Sequence, residues 1–136
     1  MNVAVPTFRF LEHVGEVELE LEARDEAGIF AAALDAFSTL VHSDAGGMPS
    51  THEVRLTAAD APLLLVAWLE ELIYLVDVER LVPERTEALD VSGGRLRAAV
   101  IGHRDDPRQL VKAVTLNNLE LSPVSGGWRG RVVLDV

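Results

Sequence analysis

The sequence predicts an α+β fold in which two helices pack on a mainly antiparallel sheet. Three observations predict it: strict alternation near the start, two long stretches with apolar residues three and four apart, and glycine turns between short alternating stretches in the second half. The predicted order of elements is β-α-β-α-β-β-β-β. The length of 136 residues is that of one ordinary domain, so residues 1–136 are expected to form a single domain.

The first elements have the clearest local patterns. Residues 16–22 place four glutamates on one face and three aliphatic residues on the other, which is typical of a half-buried strand. Asp25 then precedes a stretch with helical apolar spacing, which predicts an N-capped helix over about residues 26–42. Alternation returns at residues 51–58 and predicts the next strand.

The second predicted helix covers about residues 61–79 and follows an Asp60 cap with Pro62 in its first turn. It is apolar over more than one stripe, so we expect it to be the central buried helix. Aromatic residues on such a helix usually belong to the core, and we therefore assign Trp68, Leu72 and Tyr74 to the core.

The second half of the chain predicts four strands joined largely by hairpins. Short glycine turns separate them, and hairpins pair antiparallel. The strands are expected at about residues 84–91, 95–102, 111–121 and 128–136.

The composition excludes several classes of function. With 12 basic and 22 acidic residues the net charge is −10, which argues against direct nucleic-acid binding and favours a basic protein partner or hard cations. The chain has no cysteine, so disulfides, thiolate zinc sites and cysteine nucleophiles are excluded. No signal-peptide pattern and no apolar run of about 18 residues is present, and we expect a soluble, cytoplasmic protein without a membrane segment.

Two carboxylates near the ends of the chain are candidate ligands for a divalent cation, Ca²⁺ or Mg²⁺. Glu16 opens the first predicted strand and Asp135 closes the last, so the two would meet at one end of the sheet if these strands are neighbours. The α-carboxylate of Val136 would supply further oxygen ligands. The alternative is that Glu16 belongs to the solvated glutamate face and that Asp135 is a polar chain end.

The other polar candidates have equally open interpretations. His13 is either a site residue or a structural histidine, because it has no second histidine at metal spacing. Lys112 either contacts a phosphate or an acidic group, or packs its stem on the sheet. Asp77 either caps a turn or lies near the metal. The remaining histidines are expected at the surface, and Arg129 and Arg131 are expected to pair across the sheet with the glutamate face of residues 16–22.

Four blocks of sequence carry a resemblance that covers essentially the whole chain. They are residues 10–13 (FLEH), 68–77 (WLEELIYLVD), 112–115 (KAVT) and 127–136 (GWRGRVVLDV). In this order they resemble the archease family, which assists the tRNA-splicing ligase that joins RNA ends bearing a 3′-phosphate. The resemblance implies a non-catalytic protein that binds a divalent cation and promotes guanylylation and turnover of the ligase, which would be its protein partner.

The chain departs from the family pattern at two places. After His13 the family usually has Thr-Ala-Asp, whereas this chain has residues 14–16 (VGE), in which a longer carboxylate replaces aspartate. After residues 112–115 the family tends to have Tyr-His, and here Leu116 and Asn117 follow. The resemblance implies that His13, Lys112, Asp77 and Asn117 line the site.

Two other functions remain open at the level of the sequence. The same carboxylates would suit a small metal-dependent hydrolase in which a cation activates water. A protein-binding module of the same fold that has lost the metal is the other alternative.

Overall fold

The computed structural model describes residues 6–43, 46–107 and 110–136, apart from the His13 side chain. Nine elements follow one another in these ranges: β1 (Thr7–His13), β2 (Glu16–Ala23), α1 (Glu26–Val41), β3 (Pro49–Thr57), α2 (Ala61–Asp77), β4 (Leu81–Ser92), β5 (Arg95–Arg104), β6 (Ala113–Val124) and β7 (Gly127–Asp135). The predicted class is confirmed. The element order is also confirmed, with one additional strand, β1, in front of the predicted first strand.

The strands form two antiparallel sheets. The four-stranded sheet has the order β1-β2-β7-β6, and the three-stranded sheet has the order β3-β5-β4. The first and last strands of the predicted order, β2 and β7, are therefore neighbours, and they pair antiparallel from end to end.

Both helices begin at the predicted aspartates. The Asp25 carboxylate accepts from the Gly28 N–H at 2.8 Å, and the Asp60 carboxylate accepts from the Leu63 N–H at 2.9 Å. These bonds satisfy donors that the first turn of a helix leaves without a partner.

One core joins the two sheets through the helices. Helix α1 contacts β1, β2 and β7 of the four-stranded sheet and β4 of the three-stranded sheet, while α2 contacts β6 on one side and β3 and β4 on the other. The alternating residues of β2 enter this core on one face, as the sequence predicted, because Val17, Leu19 and Leu21 are buried. Neither helix in the described ranges has the length and apolar character that crossing a membrane requires.

Two predictions about individual aromatic residues have different outcomes. Trp68 is fully buried and its indole Nε1 donates to the Phe30 carbonyl of α1 at 3.0 Å, so its assignment to the core is confirmed, as is that of Leu72. The assignment of Tyr74 to the core is wrong, because 45% of this residue is exposed. The four exposed positions of α2, which are Leu63, Glu70, Tyr74 and Asp77, lie on one helical stripe that faces away from the core.

The prediction that every remaining histidine lies at the surface is wrong for His103. Only 12% of its side chain is exposed, and its Nδ1 lies 2.6 Å from a Glu84 carboxylate oxygen. Its Nε2 is buried without a hydrogen-bond partner in the described structure. The register explains the burial, because His103 lies between Pro49 of β3 and Val82 of β4 on the central strand of its sheet.

Candidate functional site

One end of the four-stranded sheet brings the predicted cation ligands together. Glu16 of β2 lies directly opposite Asp135 of β7, and on its other side it lies opposite His13 of β1. Directly opposed residues of antiparallel strands project from the same face, with Cβ atoms about 5 Å apart. The carboxylates of Glu16 and Asp135 are therefore neighbours, which is the arrangement that the sequence argument required.

This pair lies on the face of the sheet that points away from the helices. Val17 and Leu134, the next residues inward, oppose each other and are buried, so the residues beside them project outward. Glu16 and Asp135 are both half-buried, as is Val136. The carboxylates are thus open to a ligand while their strands are fixed by the core.

Backbone hydrogen bonds fix the strands around the pair. The Lys112 N–H donates to the Asp135 carbonyl at 2.8 Å, and the Val136 N–H donates to the Gly15 carbonyl at 3.1 Å. Lys112 is consequently next to Asp135 along the edge of the sheet, and its side chain is exposed. Val136 is next to the β1–β2 turn.

A bulge in β6 brings Asn117 into a depression that Glu16 also lines. The pairing of β6 with β7 shifts between Thr115 and Glu120, and Asn118 within this interval has a φ of 56°. Asn117 and Asn118 then line a shallow depression together with Glu16, Glu18 and Val133. The predicted continuous strand over residues 111–121 did not contain this irregularity, although asparagine is enriched at left-handed positions and the Asn-Asn pair was its signal.

The charges of this sheet face are distributed unevenly. Toward its other end the glutamates have arginine partners: Glu20 pairs with Arg9, Glu22 with Arg129 at 3.8 Å, and Glu120 with Arg131 at 4.0 Å. The expected pairing with the glutamates of β2 is confirmed for Arg129, whereas Arg131 pairs with Glu120 of β6 instead. The hydrogen bond to Glu20 also raises the pKa of the Arg9 guanidinium.

The carboxylates at the candidate site are not neutralised in this way. In the described part of the chain, Glu16, Glu18 and Asp135 form no ion pair. The end of the sheet that carries them therefore has a local negative charge.

The donor set at this end has the chemistry of a site for a hard cation. Two carboxylates and the amide oxygen of Asn117 are ligand types that Ca²⁺ and Mg²⁺ prefer, and Mg²⁺ in particular is often held by one or two carboxylates with water completing its shell. Within the described ranges, no three His, Asp or Glu side chains are grouped closely enough to form a full protein cage for a metal. The residues present thus fit a partly hydrated cation that a second molecule can also contact.

For two of the predicted site residues, Asp77 and His13, the described structure shows no side-chain contact with the site. Asp77 is the last residue of α2 and is exposed, and in the described structure its carboxylate makes no hydrogen bond or ion pair. For His13 the backbone position opposite Glu16 is described, whereas its side chain lies outside the described part of the structure.

Comparisons with known proteins agree with this architecture. A family model described as the Archease protein family (MTH1598/TM1083) matches residues 8–136. The chain is 31% identical to the "Protein archease" of Methanosarcina mazei over 95% of both chains. It is 35% identical to the "Probable protein archease" of Mycobacterium tuberculosis over 94% of this chain and 74% of that protein.

Two solved structures have the same fold. One is the solution structure of Methanobacterium thermoautotrophicum protein 1598, with a TM-score of 0.70 and 22% identity over 95% of this chain and 98% of that one. The other is the crystal structure of a Thermotoga maritima protein described as "an archease, possible chaperone", with a TM-score of 0.71 and 14% identity over 93% of this chain and 94% of that one.

Proposed function

Because the chain belongs to the archease protein family, we propose that it is an accessory protein of the tRNA-splicing ligase that joins RNA ends bearing a 3′-phosphate. In this proposal it promotes guanylylation and multiple turnover of the ligase and does not catalyse ligation itself. The supporting observation is the juxtaposition of Glu16 and Asp135, with Lys112 and Asn117 beside them, in a member of this family.

The residues of the proposed site have different roles. Glu16 and Asp135 hold a divalent cation, Ca²⁺ or Mg²⁺, and the Asn117 amide oxygen is a further donor. Val136, whose N–H donates to the Gly15 carbonyl, lies beside these ligands. When bound, the cation supplies positive charge that neutralises phosphoryl oxygens.

Lys112 and His13 act beside the cation in this proposal. The exposed Lys112 ammonium donates to a phosphate oxygen or to a carboxylate of the ligase. His13 lines the site from β1, opposite Glu16. Asp77, on the exposed stripe of α2, contacts the ligase in this proposal and does not bind the cation.

The experiment that tests this function is multiple-turnover ligation of a 3′-phosphate RNA by the cognate ligase with GTP and divalent metal. The reaction is run without the protein, with the wild type, and with Asp135→Ala. Asp35→Ala is the matched control, because Asp35 is an exposed carboxylate on α1, away from the sheet face that carries the site and from the exposed stripe of α2. We expect acceleration by the wild type and by Asp35→Ala, and its loss with Asp135→Ala.

Calorimetric titration with calcium and magnesium separates the cation from the partner. Asp135→Ala, or a tag placed directly after Val136, should weaken cation binding at least tenfold while circular dichroism stays unchanged. Unchanged titrations in both variants would show that the cation site is not here.

The remaining outcomes distinguish the other functions. Acceleration without cation binding identifies a metal-free binding module of the same fold. Turnover of a phosphorylated substrate in the absence of ligase identifies a metal-dependent hydrolase. A folded protein that does neither contradicts the proposed function.

A further inference from the structure

Three arginines whose guanidinium groups have no partner in the described residues lie together on the outer face of the three-stranded sheet, which does not carry the candidate cation site. Arg55 of β3 lies directly opposite Arg97 of β5, and Arg95 lies two residues before Arg97 on the same face of β5. All three are exposed. Residues that are opposed in this way have Cβ atoms about 5 Å apart, so two guanidinium groups share one place on the sheet.

The other arginines of the described structure are engaged. Arg9, Arg80, Arg85, Arg129 and Arg131 form ion pairs, Arg104 donates to the Glu79 carbonyl at 2.7 Å, and Arg24 also has an interaction. Within residues 6–43, 46–107 and 110–136, the guanidinium groups of Arg55, Arg95 and Arg97 make neither a hydrogen bond nor an ion pair. Free arginines are unexpected in a chain with 22 acidic residues, and three of them are adjacent.

The sheet has a second unfavourable feature at the same position. Between Glu87 and Asp90 the pairing of β4 with β5 shifts by one residue, and Ala88 within this bulge has a φ of 51°. An alanine in the left-handed region is strained, and like charges that oppose each other are destabilising. The strained Ala88 and the opposed arginines lie at one depression, which is lined by Arg55, Arg97, Ala88 and Asp90 among others. Local strain of this kind is concentrated at functional sites.

We propose that the arginine cluster (Arg55, Arg95 and Arg97), which borders this depression and the one that adjoins it, binds an anion made of linked phosphates. The ligand is either the polyphosphate of a nucleotide or successive phosphodiesters of a single-stranded nucleic acid. Guanidinium groups bind phosphate oxygens in pairs, and positions two apart on a strand are separated by about 7 Å. A ligand with several linked anionic groups engages all three arginines, whereas an isolated carboxylate engages one.

The neighbouring groups complete the site. Ser92 lies opposite Arg95, and together with Gly93 and Arg97 these residues line a second depression that adjoins the first. The hydroxyl of Ser92 is a further donor for a phosphate oxygen. Two carboxylates, Asp90 and Glu53, also line the depressions. Asp90 lies directly opposite Arg97 on β4, but neither carboxylate forms an ion pair with the arginine cluster in the described structure. Three arginines and two carboxylates leave a local excess of one positive charge in a chain of net charge −10.

Binding of three probes to the full chain tests the proposal: sodium tripolyphosphate, GTP without divalent metal, and a short labelled single-stranded RNA. The variants are Arg97→Gln and Arg55→Gln, and Arg129→Gln is the matched control because it removes an exposed arginine, 60% accessible, from the other sheet. We expect saturable binding of at least one probe by the wild type. Either cluster variant should weaken it about tenfold, and the control less than twofold.

Two further measurements distinguish a specific site from general charge. Without any anion, Arg55→Gln should have an unfolding midpoint no lower than that of the wild type, because it relieves the repulsion from Arg97 and leaves the opposition of Arg97 and Asp90 intact. If RNA is the ligand, the logarithm of its affinity against the logarithm of salt concentration should lose a slope of about 0.7 in Arg97→Gln. Binding of tripolyphosphate and GTP alone identifies a nucleotide, and binding of RNA alone identifies a strand backbone.

Two results would overturn the proposal. One is the absence of saturable binding of all three probes. The other is an equal loss of affinity in Arg129→Gln and in the cluster variants, since that pattern reports net charge only. Circular dichroism establishes that each variant is folded, and Arg55→Gln replaces Arg97→Gln should the latter fail to fold.

Discussion

Trp68 connects the two helices through a single hydrogen bond in the core. Its indole donates to the Phe30 carbonyl of α1 at 3.0 Å, and the residue is fully buried. Trp68→Phe removes this bond and leaves unfilled volume, so the free energy of unfolding should fall by about 2 kcal/mol. Urea unfolding followed by circular dichroism measures the change.

Tyr74 of the same helix is the control for that measurement. Because it is 45% exposed, Tyr74→Phe should alter the free energy of unfolding by less than about 0.5 kcal/mol. Equal effects of the two substitutions would contradict the arrangement of α2 described here.

Asp105 is an acidic side chain whose pKa is lowered by specific hydrogen bonds, which gives a definite pH dependence. Hydrogen bonds from the Ser43 hydroxyl and from the Asp106 N–H stabilise its charged form and lower its pKa. A lowered pKa in the folded state contributes stability above the ordinary aspartate pKa of about 3.9, and this contribution is lost as the pH falls through the lower value. In Ser43→Ala the pKa of Asp105, followed by NMR titration of its carboxyl carbon, should move upward. An unchanged titration would mean that the hydroxyl does not set this pKa.

The burial of individual side chains could be predicted from the sequence only in part. Trp68 and Tyr74 are both aromatic residues on an apolar helix, and composition alone assigned both to the core. They point in directions about 120° apart around that helix, and which direction faces the core depends on where the sheets approach it. His103 was misassigned for a related reason, because its burial comes from strands on both sides that local sequence does not identify.

The helix starts are the elements whose sequence signals are most direct. Asp60 accepts from the Leu63 N–H at 2.9 Å and lies at the positive end of the α2 dipole. Asp60→Ala should lower the free energy of unfolding by about 1 kcal/mol, whereas Asp60→Asn should retain most of it because an amide oxygen also caps. Chemical denaturation of the three proteins compares them, and an Asn variant as unstable as the Ala variant would show that charge, rather than the cap, stabilises this end.

Strands were predictable where one face is apolar and the other is charged. β2 has that pattern, with Glu16 to Glu22 alternating against Val17, Leu19 and Leu21. β1 lacks it, because Leu11 occupies its outward face, and this strand becomes apparent only through its pairing with β2. The bulge at Asn117 has a sequence signal in the Asn117-Asn118 pair, but its position depends on the register that β6 adopts against β7.

At the scale of the whole molecule, the candidate site depends on contacts between distant parts of the sequence. Glu16 and Asp135 are near opposite ends of the chain and become neighbours because β2 pairs with β7. From the sequence, the two carboxylates were expected to meet only if these strands are neighbours, and no local pattern indicates that they are. The division into two sheets likewise depends on which strands pair, and so does the arginine cluster on the second sheet. Local alternation shows which face of a strand is apolar but does not identify its partner strand.

The shared core predicts how the molecule unfolds. Residues of both sheets and both helices belong to one continuous hydrophobic cluster, so the loss of one sheet exposes the helices that support the other. A domain of this size with one core should unfold in a single transition. We expect the urea transitions followed by far-ultraviolet circular dichroism and by tryptophan fluorescence to coincide.

Matched substitutions in the two sheets test that coupling. Val132→Ala in β7 and Val100→Ala in β5 each truncate a fully buried side chain, and each should lower the free energy of unfolding by about 2 kcal/mol. If the sheets unfold together, each substitution shifts the whole transition for both probes, because the affected sheet cannot open without the other. A biphasic transition in which Val132→Ala moves one phase and Val100→Ala moves the other would mean that the helices couple the sheets too weakly to make them one cooperative unit.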